Sequence, residues 1–147
     1  MPDLDLAREL NVAAAAARLA GEIQMGLYER IESVDYKGEK DVVTVADHRS
    51  EEAILEHIGA AFPRDAFLAE ESGESGEEAE RLWVIDPLDG TVNYANGIPF
   101  FAVSIGLAVD GSPVLGVVYD PTRDELFSAV SGGGAQLNGR PIHQPAD

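Results

Sequence analysis

The segment that most constrains the fold is an apolar run that leads directly into two closely spaced aspartates. Residues 82–85 have the apolar, β-branched and aromatic composition of a buried strand. Asp86 follows at the end of this strand, Pro87 stiffens the turn predicted there, and Asp89 completes the turn. Two carboxylates on one stiff turn can face the same cation, and hard divalent cations such as magnesium prefer oxygen ligands. The segment therefore predicts a metal site at the end of a buried strand.

Gly90 and Thr91 extend this motif towards phosphate chemistry. Glycine permits a close approach of the backbone, and the N–H groups of both residues could hold a phosphate if a helix or turn begins there. The hydroxyl of Thr91 is suited to orienting a water molecule. The alternative is an ordinary surface turn, because Asp-Pro and Asp-Gly are common turn dipeptides. The complete run Asp-Pro-Leu-Asp-Gly-Thr directly after a buried strand favours the functional interpretation.

Two further acidic segments lie upstream of this motif. Glu70 and Glu71 follow a short apolar strand predicted at residues 66–69, and alone they would be a solvated strand end. Asp47 follows a short β-rich run at residues 41–45 and stands where a second helix could start. Alone, Asp47 would be a helix cap, with Glu51 in the first turns interacting favourably with the helix dipole.

Taken together, the three segments would bring up to five carboxylates into one cleft. Two unit charges about 4 Å apart repel by about 4 kcal/mol at an effective dielectric constant near 20, so such a cluster requires cations. Two or more divalent ions would neutralise the charges and polarise a phosphate ester. The predicted reaction is hydrolysis by a metal-bound water without a covalent intermediate. Asp47 and Thr91 are the natural pair to deprotonate and aim that water.

The remaining pattern predicts an α+β fold in which two helices pack on an antiparallel sheet. The first helix is expected to be capped by Asp3 and to end near Ser33, with apolar residues at helical spacing at Leu6, Leu10, Ala13, Ala17, Ala20 and Leu27. The second helix is closed by Phe62 and Pro63. Residues 72–80 are predicted to form a loop, residues 110–113 a hairpin turn between two strands, and residues 125–130 a further strand. Turns are predicted at residues 132–134 and 138–139.

Composition narrows the classes of function. A chain of 147 residues, 45% of them hydrophobic, suits one domain with a real core. Its 27 Asp and Glu against 10 Lys and Arg give a net charge of −17, which argues against nucleic acid as a partner. There is no cysteine, which excludes disulfides, thiolate metal sites and a cysteine nucleophile. No apolar stretch is long enough to cross a bilayer and the N-terminus lacks a basic start, so we expect a cytoplasmic protein with no membrane partner.

Several other side chains could in principle bind metal or act in catalysis, but their sequence context does not predict such a role. The three histidines, at positions 48, 57 and 143, share no metal-ligand spacing. Ser104 lacks the context of an activated nucleophile. Trp83 and the pair Phe100 and Phe101 are expected to pack in the core, and Arg123 is expected in a turn.

The motif at residues 86–94, Asp-Pro-Leu-Asp-Gly-Thr-Val-Asn-Tyr, resembles the first signature of the inositol monophosphatase family. Upstream pieces around Lys37, Asp41 and Asp47 and at Glu70-Glu71-Ser72 fall in the same order and at similar separations, and the tail at residues 132–142 is also similar. The resemblance covers essentially the whole chain. It implies the N-terminal half of an αβαβα layered phosphatase fold, with residues 1–147 as its metal-binding domain. It also implies hydrolysis of a phosphate monoester, with inositol monophosphate as the expected substrate.

The resemblance further implies roles at the matching positions. Glu70, Asp86, Asp89 and the main-chain carbonyl of Leu88 would bind two or three magnesium ions, with manganese as a substitute. Asp47, Thr91 and Glu70 would be the catalytic residues, the first two by activating the water. The amides of Gly90 and Thr91 would contact the phosphate, and Asp89 could also reach a substrate hydroxyl. The expected partners are a small inositol or sugar phosphate and a second copy of the chain in a homodimer.

Members of this family also have a second α/β half, with a Trp-Asp motif whose aspartate completes a metal site, and nothing in this sequence corresponds to it. We therefore expect the chain by itself to fold, to self-associate and to hydrolyse inositol monophosphate poorly or not at all. Bisphosphate nucleotidase, fructose bisphosphatase and histidinol phosphatase activities are the alternatives within the superfamily. A non-catalytic cation-binding domain is the alternative from another class.

Overall fold

The structure, a computed structural model, describes residues 5–33, 39–69, 73–75 and 80–145. In chain order the elements are α1 (Ala7–Ser33), α2 (Glu39–Ala61), β1 (Ala66–Ala69), β2 (Gly73–Ser75), β3 (Arg81–Asp89), α3 (Thr91–Ala95), β4 (Ala102–Val109), β5 (Ser112–Asp120), β6 (Glu125–Val130), β7 (Ala135–Leu137) and β8 (Arg140–Ile142). The strands form one sheet in the order β2-β1-β3-β4-β5-β6-β7-β8. All neighbours are antiparallel except β1 and β3, which run parallel. The α+β fold class is confirmed.

Helix α1 follows the predicted apolar periodicity. The side chain of Asp5 accepts a hydrogen bond from the amide of Ala7 at 3.1 Å, so Asp5 contributes to capping the helix start. Asp3, the predicted cap, lies outside the described residues. Six apolar residues on one face are buried, namely Leu6, Ala13, Ala16, Ala17, Ala20 and Leu27. Small residues let α1 approach the sheet closely, and a Cβ on Gly21 would overlap the ring of Tyr119.

Helix α2 begins earlier than the sequence suggested, and the prediction of a β-rich run at residues 41–45 was wrong. Val42 and Val43 pack, at helical spacing with the buried Ala46, against a cluster that includes Leu27 and Leu88. This packing outweighs the preference of valine for strands. Asp47 therefore lies about two turns inside the helix instead of capping it. Glu51 is only 3% exposed and lies in the helix interior, so the predicted interaction with the helix dipole was also wrong.

Strand β3 continues past its predicted end. The turn expected at Pro87 is instead a bulge, because Asp86 pairs with Ser104 and Asp89 pairs with Ala102. Three steps along β3 thus match two steps along β4, which is one extra residue in β3. The bulge accommodates Pro87, whose ring nitrogen cannot donate a ladder hydrogen bond.

The two faces of the sheet have different surroundings. Side chains that point towards α1 and α2 form the main core, including Trp83, Ile85, Val103, Ile105, Leu107 and Val117. The opposite face carries half-exposed apolar side chains at Leu68, Val84, Val118 and Phe127. Among the described elements, both long helices pack on the same side, so this second face is open.

Two hairpins of the sheet agree with the predicted turns. Asp110 and Gly111 both have positive φ, 50° and 79°, as a two-residue hairpin turn requires. Asn138 and Gly139 repeat this geometry between two short strands that the sequence did not indicate. The predicted loop at residues 72–80 was partly wrong, because Gly73–Ser75 pairs with β1. No helix in the described ranges is long and apolar enough to cross a membrane, and the cytoplasmic location stays a prediction.

An ion-pair network fixes the start of β3. The guanidinium of Arg81 donates to Glu9 on α1 at 2.8 Å and to both carboxylate oxygens of Asp65 at 3.0 Å. The indole of Trp83 donates to the same Asp65 at 2.9 Å. Burial alone would lower the pKa of Arg81, but its hydrogen bonds with Glu9 and Asp65 outweigh burial and raise the pKa. The network joins three parts of the chain, namely α1, β3 and the loop that precedes β1.

The helical assignment of residues 41–45 can be tested with two exposed valines. Val45 in α2 is 37% exposed and Val84 in β3 is 44% exposed, so truncation removes little packing at either position. Because alanine favours a helix over valine, Val45→Ala should raise the free energy of unfolding by roughly 0.5 kcal/mol. Val84→Ala, the matched control in a strand, should lower it. Urea unfolding measures both, and a stability loss from Val45→Ala would support a strand at residues 41–45.

Candidate active site

The bulge in β3 places the two aspartates of the central motif on one face of the sheet. Ser104 and Ala102, their partners on β4, are two residues apart and so point to the same side. Without the extra residue, Asp86 and Asp89 would point to opposite faces. Asp86 is half-buried and Asp89 is exposed. The face they share is the one that α1 and α2 leave open.

Gly90 turns the chain directly from β3 into α3. It has φ 95° and ψ 39°, a left-handed conformation that glycine adopts without strain. A Cβ at this position would lie 3.0 Å from the carbonyl oxygen of Phe100 and 3.3 Å from the Cα of Phe101. The hypothesis that the amides of Gly90 and Thr91 could hold a phosphate requires a helix or turn at this point. Such a helix is present, because α3 begins at Thr91 and the amide of Tyr94 donates to the Gly90 carbonyl at 3.0 Å.

The segment after α3 is hydrogen-bonded to the motif. The side-chain amide of Asn93 donates to the carbonyl of Phe100 at 2.8 Å, the same carbonyl against which Gly90 packs. Phe101 is buried, but Phe100 is 66% exposed, so the prediction that both pack in the core was wrong for Phe100. Its ring lies beneath the guanidinium of Arg123, 5.6 Å from the ring centroid.

Arg123 lies in the turn between β5 and β6, as expected. Its guanidinium forms an ion pair with Asp120 at 2.7 Å and donates to the carbonyl of Pro99 at 3.4 Å. Burial tends to raise the pKa of Asp120, but hydrogen bonds from Thr122 and Arg123 outweigh it and lower the pKa below its ordinary value. Asp120 is therefore charged at neutral pH, and the turn holds the segment after α3 in place.

Three aromatic rings form the floor beneath the motif. Tyr28, Tyr94 and Phe101 have ring centroids between 4.8 and 5.4 Å apart. The hydroxyl of Tyr94 donates to the main-chain carbonyl of Gln24 at 2.8 Å. Burial, with a smaller contribution from Tyr28, raises the pKa of Tyr94, so this hydroxyl stays protonated. The floor joins α3 to α1.

The predicted site residues divide into three groups. Asp86, Leu88, Asp89, Gly90 and Thr91 lie on one continuous segment at the end of β3, with Leu88 buried. Asp47 lies on α2, which packs against both β3 and α3, and its Oδ1 is inaccessible to solvent.

Glu70 lies outside the described residues, as do Lys37 and Glu71. Within the described ranges, no three Asp, Glu or His side chains come together as a metal-binding group.

A cleft of about 490 Å³ opens beside Asp89 on the open face of the sheet. Its walls combine charged and apolar side chains, with Asp89, Asn93, Asp120 and Arg123 beside Phe100, Val118 and Phe127. The cleft could accept a small polar molecule that reaches the end of β3.

Two residues that position this segment were missed by the sequence reasoning. Asn93 has no predicted role beyond its place in the motif, and its side chain donates a hydrogen bond to the Phe100 carbonyl. Gln24 has no role predicted from the sequence, but it is fully buried and donates to the carbonyl of Pro87 at 2.5 Å. A signal for Gln24 was present: it is a polar residue in the helical series of apolar positions that includes Ala17, Ala20 and Leu27.

Comparisons with known proteins identify the family of this chain. The sequence profile of the inositol monophosphatase family matches residues 5–146. The chain belongs to the inositol monophosphatase family. Among its relatives in this family, inositol monophosphatase 3 of Solanum lycopersicum is 44% identical over 137 residues, which cover 90% of this chain and 51% of the tomato protein. Nus factor SuhB of Pasteurella multocida is 48% identical over 132 residues, which cover 88% of this chain and 49% of that protein.

Solved structures of the inositol monophosphatase family share the fold. An inositol monophosphatase from Anabaena (Nostoc) sp. PCC 7120 matches with a TM-score of 0.85 and 43% sequence identity. The match covers 98% of this chain and 52% of the Anabaena protein. The chain thus spans about half the length of the curated relatives it matches.

The close approach at Gly90 can be tested by adding a methyl group. Gly90→Ala should lower the free energy of unfolding by about 1–3 kcal/mol, because the conformation is strained for alanine and the methyl would press on the Phe100 carbonyl. Gly97→Ala is the matched control, since its φ is also positive, 70°, but no described atom lies within 4 Å of its Cβ position. Urea unfolding should show the larger loss for Gly90→Ala, and equal losses would exclude a contribution from Phe100.

Proposed function

We propose that this chain supplies the metal-binding and water-activating part of a magnesium-dependent phosphomonoesterase. The observation that carries the proposal is the β3 bulge, because it puts the carboxylates of Asp86 and Asp89 on one face directly before the Gly90 turn. Family membership supports the same reaction. Inositol monophosphate is the proposed substrate, and a sugar or nucleotide phosphate in its place would indicate one of the related phosphatase activities.

The donor groups at this segment suit a hard divalent cation. Asp86 and Asp89 offer carboxylate oxygens and Leu88 a main-chain carbonyl, with no nitrogen or sulfur donor among them. Among the described residues, no basic side chain lies within ion-pair distance of Asp89. We propose that these groups and Glu70 hold two or three magnesium ions, with manganese as a substitute. When bound, such ions polarise the phosphate ester and make a water molecule more acidic.

The remaining roles belong to the chain's own side chains and amides. Asp47 would accept a proton from the attacking water, and the hydroxyl of Thr91 would orient that water. The amides of Gly90 and Thr91 would donate to phosphate oxygens, and Asp89, which is exposed, would reach a substrate hydroxyl. Ala46, the neighbour of Asp47, shares a buried cluster with Leu88 and Tyr94, which supports a common site at the edge of the sheet where β3 ends. A second copy of the chain, in a homodimer, is the proposed protein partner.

Cation binding is the first test of this proposal. Calorimetric titration of the chelator-treated chain with magnesium or manganese should show binding that Asp86→Ala abolishes, because a shared ligand is lost. Glu56→Ala is the matched control: it removes the same charge from an exposed position on α2 and so corrects for general attraction to a chain of net charge −17. Equal binding by the Asp86 and Glu56 variants would remove Asp86 from the site.

Turnover is the second test, measured in a chain that joins these residues to the C-terminal half of a relative. Asp47→Asn and Thr91→Ala should each lower turnover by about 10²–10⁴-fold while magnesium affinity stays nearly constant, because their role is proton transfer and water orientation. Near-normal turnover in either variant would exclude that residue from the mechanism.

The same assay separates catalysis from a non-catalytic cation-binding domain. If the joined protein binds magnesium but hydrolyses no phosphate monoester, the chain is a non-catalytic cation-binding domain. The 147-residue chain assayed alone should hydrolyse inositol monophosphate slowly or not at all, since it spans about half of its relatives' length. Its self-association is measured by light scattering.

A further inference from the structure

Gln24 interrupts an otherwise apolar face of α1. The residues of this face recur at alternating spacings of four and three, at Leu6, Leu10, Ala13, Ala17, Ala20, Gln24 and Leu27. Gln24 is 0% exposed, so its amide group is fully removed from water. A buried polar side chain at a core position lowers stability unless its hydrogen bonds compensate for the lost hydration. Leucine or methionine would fill similar space without this requirement.

The hydrogen bonds of Gln24 converge on the central motif. Its Nε2 donates to the carbonyl oxygen of Pro87 at 2.5 Å and to the hydroxyl of Ser50 on α2 at 3.2 Å. The carbonyl of Pro87 can only accept, so the amide must present its nitrogen and not its oxygen to this partner. The orientation of the Gln24 amide is therefore determined by the motif.

The oxygen of this amide does not account for a glutamine here. Oε1 of Gln24 is inaccessible to solvent and has no hydrogen-bond partner among the described residues. An oxygen in that state reduces stability. The unpaired Oε1 thus lowers stability, while Nε2 makes the short hydrogen bond to Pro87. Such a cost is typical of residues that serve a site more than the fold.

We propose that Gln24 is a positioning residue that sets the geometry of the Asp86–Asp89 bulge. The carbonyl of Pro87 belongs to the peptide plane between Pro87 and Leu88, inside the bulge. Holding this plane against α1 fixes the direction of the adjoining Leu88 backbone and the separation of the two aspartates. Gln24 touches no substrate and acts only through this peptide. The inference rests on the proposed cation site, for which Asp86, Leu88 and Asp89 are the ligands.

The first test uses the unaltered chain and nuclear magnetic resonance. Adding magnesium should shift the side-chain amide signals of Gln24, because any change at the bulge alters its hydrogen bond to Pro87. Gln136 on β7 is the matched control, since it lies far along the sheet from β3. A Gln24 signal that does not respond while the backbone amide of Leu88 does would overturn the inference.

The second test removes the donor while keeping the size of the side chain. Gln24→Met should weaken manganese binding by about 10-fold, as expected for loss of a group that orients metal ligands. Its unfolding midpoint without cation should change little, because removal of the unpaired Oε1 offsets the loss of the hydrogen bond to the Pro87 carbonyl. Ser50→Ala is the control: it removes a buried polar group beside Gln24 but leaves the bond to Pro87, and manganese affinity should stay unchanged.

Gln24→Asn covers the case in which the methionine variant fails to fold. Asparagine keeps the amide but is one methylene shorter, so it cannot reach Pro87 and should weaken manganese binding similarly. If the unaltered chain binds no magnesium or manganese, the proposed function itself fails, and the role of Gln24 with it. If the unaltered chain binds manganese and both Gln24 variants bind it equally well, only the positioning role of Gln24 is overturned.

Discussion

The extra residue in β3 between Asp86 and Asp89 is the constraint on which the rest of the site depends. A regular strand would point these two side chains to opposite faces, one into the core beneath α2 and one into solvent. A carboxylate forced into that apolar core would carry a large desolvation cost. The bulge turns both to the open face, and it buries Pro87 and Leu88 instead. The carboxylates and the buried side chains are thereby separated onto different residues of one short segment.

Strand β3 makes polar contacts with α1 near both of its ends. At its start, Arg81 joins Glu9 on α1 and Asp65 before β1. Near its end, Gln24 on α1 reaches the carbonyl of Pro87. Between these points the strand is held by apolar burial, with Trp83 and Ile85 almost fully covered. A strand fixed in this way can keep an irregular end in one conformation, which a site that depends on carboxylate placement requires.

The open face of the sheet keeps several apolar side chains in contact with solvent. Leu68, Val84, Val118 and Phe127 remain partly exposed, and the cleft beside Asp89 lies among the last two of them. Charged groups at the rim, Asp120 and Arg123, are paired with each other. The cleft therefore combines an apolar floor with a polar entrance, a composition typical of small-molecule sites.

The sequence by itself determined the fold class, the apolar face of α1, the hairpin at Asp110 and Gly111, and the acidic motif at the end of β3, because each is encoded by residues close together in the chain. It misjudged residues 41–45, where β-branched side chains favoured a strand, since the cluster that makes them helical comes from α1, β3 and α3. It also expected a turn at Pro87. Whether this segment forms a turn or a bulge is determined by the pairing of β3 with β4. That register depends on hydrogen bonds to β4, which follows α3 in the chain and is not local to Pro87. Gln24 belongs to the same class: its polarity was visible in the sequence, but its partner on β3 was fixed only by the packing of α1 over the sheet.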